Sequence, residues 1–305
     1  MEELLAERPA LEQGIEPFLS ELNEWPDGVE MPPTEDELPY EDGEPMESTK
    51  HHLQMTLLIQ TLEQYYHTLG RDDVAVHGNM GIYFSLEQAR KQNFRAPDFF
   101  VVLGAKERRL RKSWVIWQEE RVPNLVIELL SESTKAADRG VKKQIYQDVM
   151  RVPEYILHDV VGNTFEAFRL HAPQNGHSQP YYEPIDLGND PLRNPVFFSE
   201  QLRLELVLWE GEFEYYWDVW LRWRNPKTGE ILPTSREIAQ GEYRRAEQER
   251  NRAEQERNRA EQERNRAEQE RNRAEQEKNR AEQERERAER LAEKLRALGI
   301  DPNEA

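Results

Sequence analysis

A chain of 305 residues, 37% hydrophobic and 33% charged, is more polar than an average globular protein and has room for one or two domains. It contains no cysteine, which excludes disulfides, thiolate catalysis and Cys-ligated zinc. The formal net charge of −19 disfavours polyanions only as an average: between Glu2 and Glu47 sixteen acids face one base, Arg8, whereas the middle is far closer to balance.

Residues 1–47 are acidic and Pro-rich, with Pro26-Asp27-Gly28 and Pro32-Pro33-Thr34 stretches, and read as an extended or partly disordered segment. The opening carries no basic start followed by an apolar stretch, and no apolar run approaches the ~20 residues that span a bilayer. A cytoplasmic protein without a membrane segment is expected.

A domain is expected over 48–225. Leu53, Leu57, Leu58, Leu62, Tyr65 and Leu69 recur at helical spacing behind a Ser48 or Thr49 cap, and Gly70 ends that helix. Short apolar runs at 79–84, 98–103 and 125–130 read as strands buried on both faces. A helix over 138–150 follows, with Val141, Ile145 and Val149 as its buried stripe. Strands at 155–159 and 164–170 then form a hairpin across Val161-Gly162-Asn163, and the Trp-rich stretch 209–223 packs back on the core. This order predicts an α/β fold with a mixed β-sheet flanked by helices.

A linker over 226–240 leads to a charged helix over 241–298, with 299–305 as a terminal tail. From Ala246 the sequence Ala-Glu-Gln-Glu-Arg-Asn-Arg repeats with a period of seven, and its Glu and Arg residues stand three and four apart, as in Arg252 and Glu256. Through Lys294 this predicts a rod about 70 Å long. Ala fills one seam position, but Glu249, Glu256 and Glu263 fill the other; only Ala288, Leu291, Leu295 and Leu298 make a proper seam. A single solvated helix and a weak dimeric coil both remain open, as does a protein partner docked on the helix. Gly299 and Pro302 are expected to terminate it.

Two residues suggest chemistry. Asp98 follows Pro97 at the start of an apolar strand, and Glu128 stands inside Leu125-Val126-Ile127 and Leu129-Leu130. A buried unpaired carboxylate costs several kcal/mol. A divalent cation held by carboxylates from neighbouring strands would offset that cost in an oxygen site suited to Mg²⁺, which could assist phosphodiester hydrolysis. The plainer account is an ion pair between Glu128 and a lysine or arginine. Lys142 shares a helical face with Tyr146 and could orient water or neutralise developing charge; equally, it could be a surface lysine whose stem covers apolar neighbours. His51 and His52 point about 100° apart on a helix, so they do not bind one ion together. Glu44, Glu47 and His52 lie at the entry to the first helix, where one could join a site. Lys50, Arg95, Lys106, Arg108, Arg109, Arg111 and Lys112 are candidate phosphate contacts, or else a solvated loop.

Taken in order, Asp42-Gly43-Glu44, His52, Pro97-Asp98, Ile127 through Thr134, Asp138-Arg139-Gly140-Val141-Lys142-Lys143, Tyr146 and Val152-Pro153-Glu154-Tyr155 resemble the Uma-type restriction-endonuclease family of the PD-(D/E)XK nuclease superfamily. The resemblance covers roughly residues 40 to 225. It implies a restriction-endonuclease-like core, Asp98 and Glu128 as ligands of Mg²⁺ or Mn²⁺, Glu44 as an accessory acid and DNA as substrate. The superfamily's lysine usually stands two residues after the second acid, a position held here by Leu130; the resemblance moves it to Lys142. Val141 stands where relatives carry an acid. A reading from another class treats the domain as an inactive scaffold that presents its C-terminal helix to a protein partner.

Overall fold

The computed structural model describes residues 33–34, 36–38, 48–85, 94–106, 109–174, 178–188 and 195–297. The chain divides into two units, Met1–Glu237 and Ile238–Ala305.

In the first unit, helix α1 (Thr49–Thr68) starts at Ser48, whose Oγ accepts from His51 N. It closes at Gly70, which takes the left-handed φ of +68° that a side chain would resist. The strands β1 (Val74–His77), β3 (Phe99–Leu103), β5 (Leu125–Leu130), β6 (Glu154–Asp159), β7 (Thr164–His171) and β8 (Tyr181–Pro184) make a six-stranded sheet in that spatial order. Only β5 and β6 run parallel, so the sheet is mixed. A parallel pair needs a crossover, and helix α3, built from the segments Lys135–Ala137, Asp138–Lys142 and Ile145–Val149, provides it. All six residues of β5 are buried, as expected of a central strand covered on both faces.

One face of this sheet packs against α1 and a second sheet, β9 (Val196–Ser199), β10 (Leu204–Phe213) and β11 (Tyr216–Arg224); Leu58, Leu62, Phe99, Ile127, Leu206 and Trp223 share that core. The other face carries α3 and a parallel pair, β2 (Ile82–Tyr83) with β4 (Trp114–Val115), the latter leading into the one-turn helix α2 (Ile116–Glu119). The run 79–84 therefore pairs over only two residues. Strands β1, β4, β8 and β9 carried no clear sequence signal, because each is four residues or shorter and draws its definition from its neighbours.

The stripe predicted for α3 is corrected. Val141 is 59% exposed and Val149 37%, while Asp138, Tyr146 and Met150 are buried. The cause is a change of helical pitch: two of the three segments are π-helical, with Met150 N bonded to Ile145 O. Turns widened to about four residues align i, i+4, i+8 and i+12 instead of the α-helical stripe.

Helix α4 (Ser235–Ala297) begins six residues before the expected 241. Thr234 and Glu237 form a capping box: Glu237 N donates to Thr234 Oγ1 at 3.1 Å and Thr234 N to Glu237 Oε2 at 2.7 Å. In the second unit every described residue lies on this helix, and the repeat shows i,i+4 pairs such as Arg252–Glu256 and Arg280–Glu284. The expected stop at Gly299 and Pro302 lies outside the described residues, as does nearly all of 1–47. Among the described residues no helix is long and apolar enough to cross a membrane.

Glu154 locks the two sheets of the first unit together. Its buried carboxyl, at the start of β6, accepts from Ser199 Oγ at the end of β9 and from Glu200 N at 2.7 Å. Burial pushes its pKa from 4.5 up to about 7. The folded protein thus retains a proton that the unfolded chain releases, and the resulting contribution to stability is complete below pH 4.5 and lost as pH rises through 7. Glu154→Gln can donate to Ser199 and accept from Glu200. It is expected to melt above wild type beyond pH 7, by on the order of 3 kcal/mol, with the gap closing toward pH 4.5. Thermal melts at the two pH values check this; a gap independent of pH would contradict it.

Candidate active site

The antiparallel register of β3 on β5 places Phe99 opposite Ile127, so Asp98 comes level with Glu128. Backbone contacts fix the pair. Leu129 N donates to Asp98 Oδ2 at 2.7 Å, and Asp98 N points at Glu128 Oε2 from 3.5 Å. Gly78 makes room for this corner, since a Cβ there would lie 2.8 Å from Asp98 O.

Glu128 is wholly buried and receives two side chains from α3. Tyr146 Oη donates to its Oε1 at 2.8 Å, and Lys142 Nζ donates to its Oε2 at 3.2 Å. Lys142 also lies 2.7 Å from Asp138 Oδ1. The widened helical turns put Asp138, Lys142 and Tyr146 on one line facing the sheet. A tyrosine ladder clamps α3 there: the ring of Tyr155 lies 5.2 Å from that of Tyr146 and stacks on Tyr182 at 5.8 Å, and Tyr155 Oη donates to Asp138 O. Lys143, by contrast, turns away and sits 3.3 Å from the centre of the Phe168 ring.

Two buried carboxylates, Glu128 and Asp138, therefore contact a single ammonium, Lys142, and the partly buried Asp98 lies beside Glu128. Burial raises the pKa of Asp98, against the hydrogen bond from Leu129 N. Burial pushes Glu128 up to about 8; Lys142 opposes the shift, while Asp98 and Asp138 add to it. Burial works against the charge of Lys142, but Glu128 and Asp138 outweigh it and hold the ammonium protonated above its ordinary range. Fully ionised, the cluster would carry two negative charges in excess.

The donor set is oxygen-only, the two carboxylates of Asp98 and Glu128, which suits a hard ion such as Mg²⁺ that keeps several waters. Among the described residues no group of three His, Asp or Glu side chains is arranged as a metal cage. The residues fit an ion held by two side chains, with water and substrate completing its shell.

The structure brings Asp98, Glu128 and Lys142 together. Glu44 and Glu47 lie outside the described residues. His52 is exposed, while His51 is buried between Ser48 Oγ (2.7 Å) and Leu130 O (3.3 Å), so the two do not share an ion. Most of the basic candidates are engaged within the protein. Arg109 and Arg111 both hold Glu119, Lys106 pairs with Glu120, and Lys112 with Asp36. Lys50 binds Asn163 and Asp218, and Arg95 donates to Phe94 O. The Arg111 side chain is 1% exposed and stacks on Trp114, so it is a structural counter-ion and not a phosphate contact. Arg108 is outside the described residues. Asp138 and the role of Tyr146 were missed, although the spacing of 138, 142, 146 and 150 contained a signal for a period of four.

Residues 20–206 match the model of the Uma2 family, described as "Putative restriction endonuclease". The chain is also similar to a solved structure, that of "a putative nuclease belonging to DUF820 from Anabaena variabilis", with 18% identity, 52% of this chain and 90% of that one covered, and a TM-score of 0.31. No curated protein matches. The chain belongs to the Uma2 family.

Proposed function

We propose that this chain is a DNA endonuclease that hydrolyses phosphodiester bonds with the help of Mg²⁺ or Mn²⁺. The observation that carries the reading is the cluster of Asp98 and Glu128 on adjacent strands with Asp138 on α3, three acids against the single Lys142, whose excess of two negative charges when ionised one divalent cation would cancel. Asp98 and Glu128 would hold the ion. When bound, it supplies Lewis acidity toward a phosphoryl oxygen and toward water.

The chain's own groups do the rest. Tyr146 fixes the Glu128 carboxylate by its hydrogen bond to Oε1. Lys142, kept protonated and partly buried, neutralises charge that develops on the phosphate, at low reorganisation cost because the tyrosine ladder already holds its helix. Glu44 is proposed as an accessory acid on the family pattern.

The inactive-scaffold reading draws on one specific contact, since a lysine 3.2 Å from Glu128 is also what an inert structural pair would show. Supercoiled plasmid incubated with purified protein and Mg²⁺ or Mn²⁺ separates the two. Nicking by wild type, lost in both Asp98→Ala and Glu128→Ala, is the expected result. Equal inertness of all three proteins would leave the scaffold.

A further inference from the structure

Asp138 is an anomaly among the buried acids. Its residue is 1% exposed, and neither carboxylate oxygen has a hydrogen-bond partner. The ammonium of Lys142 lies 2.7 Å from Oδ1 as an ion pair, and Oδ2 faces no donor. A buried carboxylate left in this state costs free energy and invites a functional explanation. It also sits in a π-helical segment, and such turns often mark functional sites.

The three acids do not play equivalent parts. Asp98 and Glu128 belong to adjacent strands and are fixed by the sheet. Asp138 belongs to the same helix as Lys142, one turn before it, so its contact with the lysine does not depend on the state of the sheet residues. Asp98, Glu128 and Asp138 are not arranged as a three-ligand cage. Meanwhile the ammonium of Lys142 lies against Glu128 Oε2, an oxygen that the proposed ion would need.

We propose that Asp138 is a positioning residue that draws Lys142 off Glu128, so that the ammonium and a divalent cation occupy the pocket together. The proposal rests on the nuclease reading only for its use of an ion at Asp98 and Glu128. In it, Lys142 exchanges a shared contact for an undivided one: Nζ gives up Glu128 Oε2 and completes its bond to Asp138, whose unsatisfied oxygens are free to receive it. Without Asp138 the ammonium has only Glu128 to pair with, and it competes with the cation.

Mn²⁺ binding measured by calorimetry or electron paramagnetic resonance, with no DNA present, tests this. Loss of an outer-shell partner of a metal site lowers metal affinity by about 10–100-fold, and Asp138→Asn should fall in that range. Lys142→Met removes the competitor and is expected to bind Mn²⁺ at least as tightly as wild type. The pair Asp138→Asn with Lys142→Met should recover the affinity that Asp138→Asn loses. A purely structural Asp138 would not give that recovery. Wild-type affinity in Asp138→Asn overturns the proposal, as does no Mn²⁺ binding by wild type. Failure of the double variant to recover would make Asp138 a ligand and overturn the positioning role. If Asp138→Asn does not fold, Lys142→Met alone decides, and weaker binding than wild type refutes competition. The nuclease reading fails separately: a protein with this Mn²⁺ pattern that never nicks plasmid sinks that reading and leaves the role of Asp138 intact. A protein that cuts, but whose Mn²⁺ affinity ignores Asp138, sinks only the latter.

Discussion

Glu128→Gln is expected to stop plasmid nicking and, in the metal-free protein, to raise the melting temperature. The loss of nicking follows from removing a charged ligand; groups that stabilise charge in a transition state account for about 10²–10³-fold each, and a lost metal carboxylate should cost at least that. The gain in stability follows from the charge count. Glu128 is one of three clustered acids served by one lysine, and burial, Asp98 and Asp138 together push its pKa to about 8. Since the ordinary value is 4.5, the proton it keeps on folding favours the native state below pH 4.5, and that advantage is lost as pH rises through 8. The neutral amide avoids this loss. It can still meet Tyr146 or Lys142, and Lys142 keeps Asp138 at 2.7 Å. A gain of about 2 kcal/mol is expected at pH 8, smaller than the full shift of the Glu128 pKa would give, because the amide forgoes the attraction of Lys142. Melts in a chelator at pH 5 and pH 8 check it: the gap should widen with pH, and a variant that melts below wild type at pH 8 would refute the excess of negative charge.

Trp223→Ala should have the largest effect on stability. The indole is fully buried, its Nε1 donates to Leu58 O at 3.1 Å, and its ring lies 5.9 Å from that of Phe99. One side chain on β11 thus touches α1 and β3, joining the second sheet to the main one. Truncating a buried Trp to Ala costs about 3–5 kcal/mol through lost burial and the cavity left behind, a large part of the 5–15 kcal/mol that holds a typical domain together. Denaturant unfolding should show a lower midpoint, and Trp223→Phe should recover most of the loss but not the hydrogen bond, worth about 1 kcal/mol. A Trp223→Ala protein within 1 kcal/mol of wild type would mean that the two sheets are not joined through this residue.

Much of the layout was legible in the residues alone. A continuous apolar run such as Leu125-Val126-Ile127-Glu128-Leu129-Leu130 has no stable place except a central strand, and its one acid stands out because burying an unpaired charge is costly. Ser48 and Gly70 bracketed α1 because cap chemistry is local. The same local rule applies to Thr234 and Glu237, whose capping box sets the start of α4 ahead of the repeat.

Other features depended on neighbours distant in the chain. Strands as short as Ile82–Tyr83 and Trp114–Val115 are defined by each other, not by periodicity. The inward face of α3 could not follow from a 3.6-residue stripe, because contacts to Tyr155, Tyr182 and the sheet favour widened turns that bury Asp138, Tyr146 and Met150 and expose Val141. The candidate site shows the same division. The residue types at Asp98 and Glu128, and the cost of burying them, were properties of the sequence. That Lys142 reaches Glu128 from the next helix, with Asp138 behind it, was decided only by tertiary structure, because helical pitch and the packing of α3 on β6 set that distance and no local propensity encodes either.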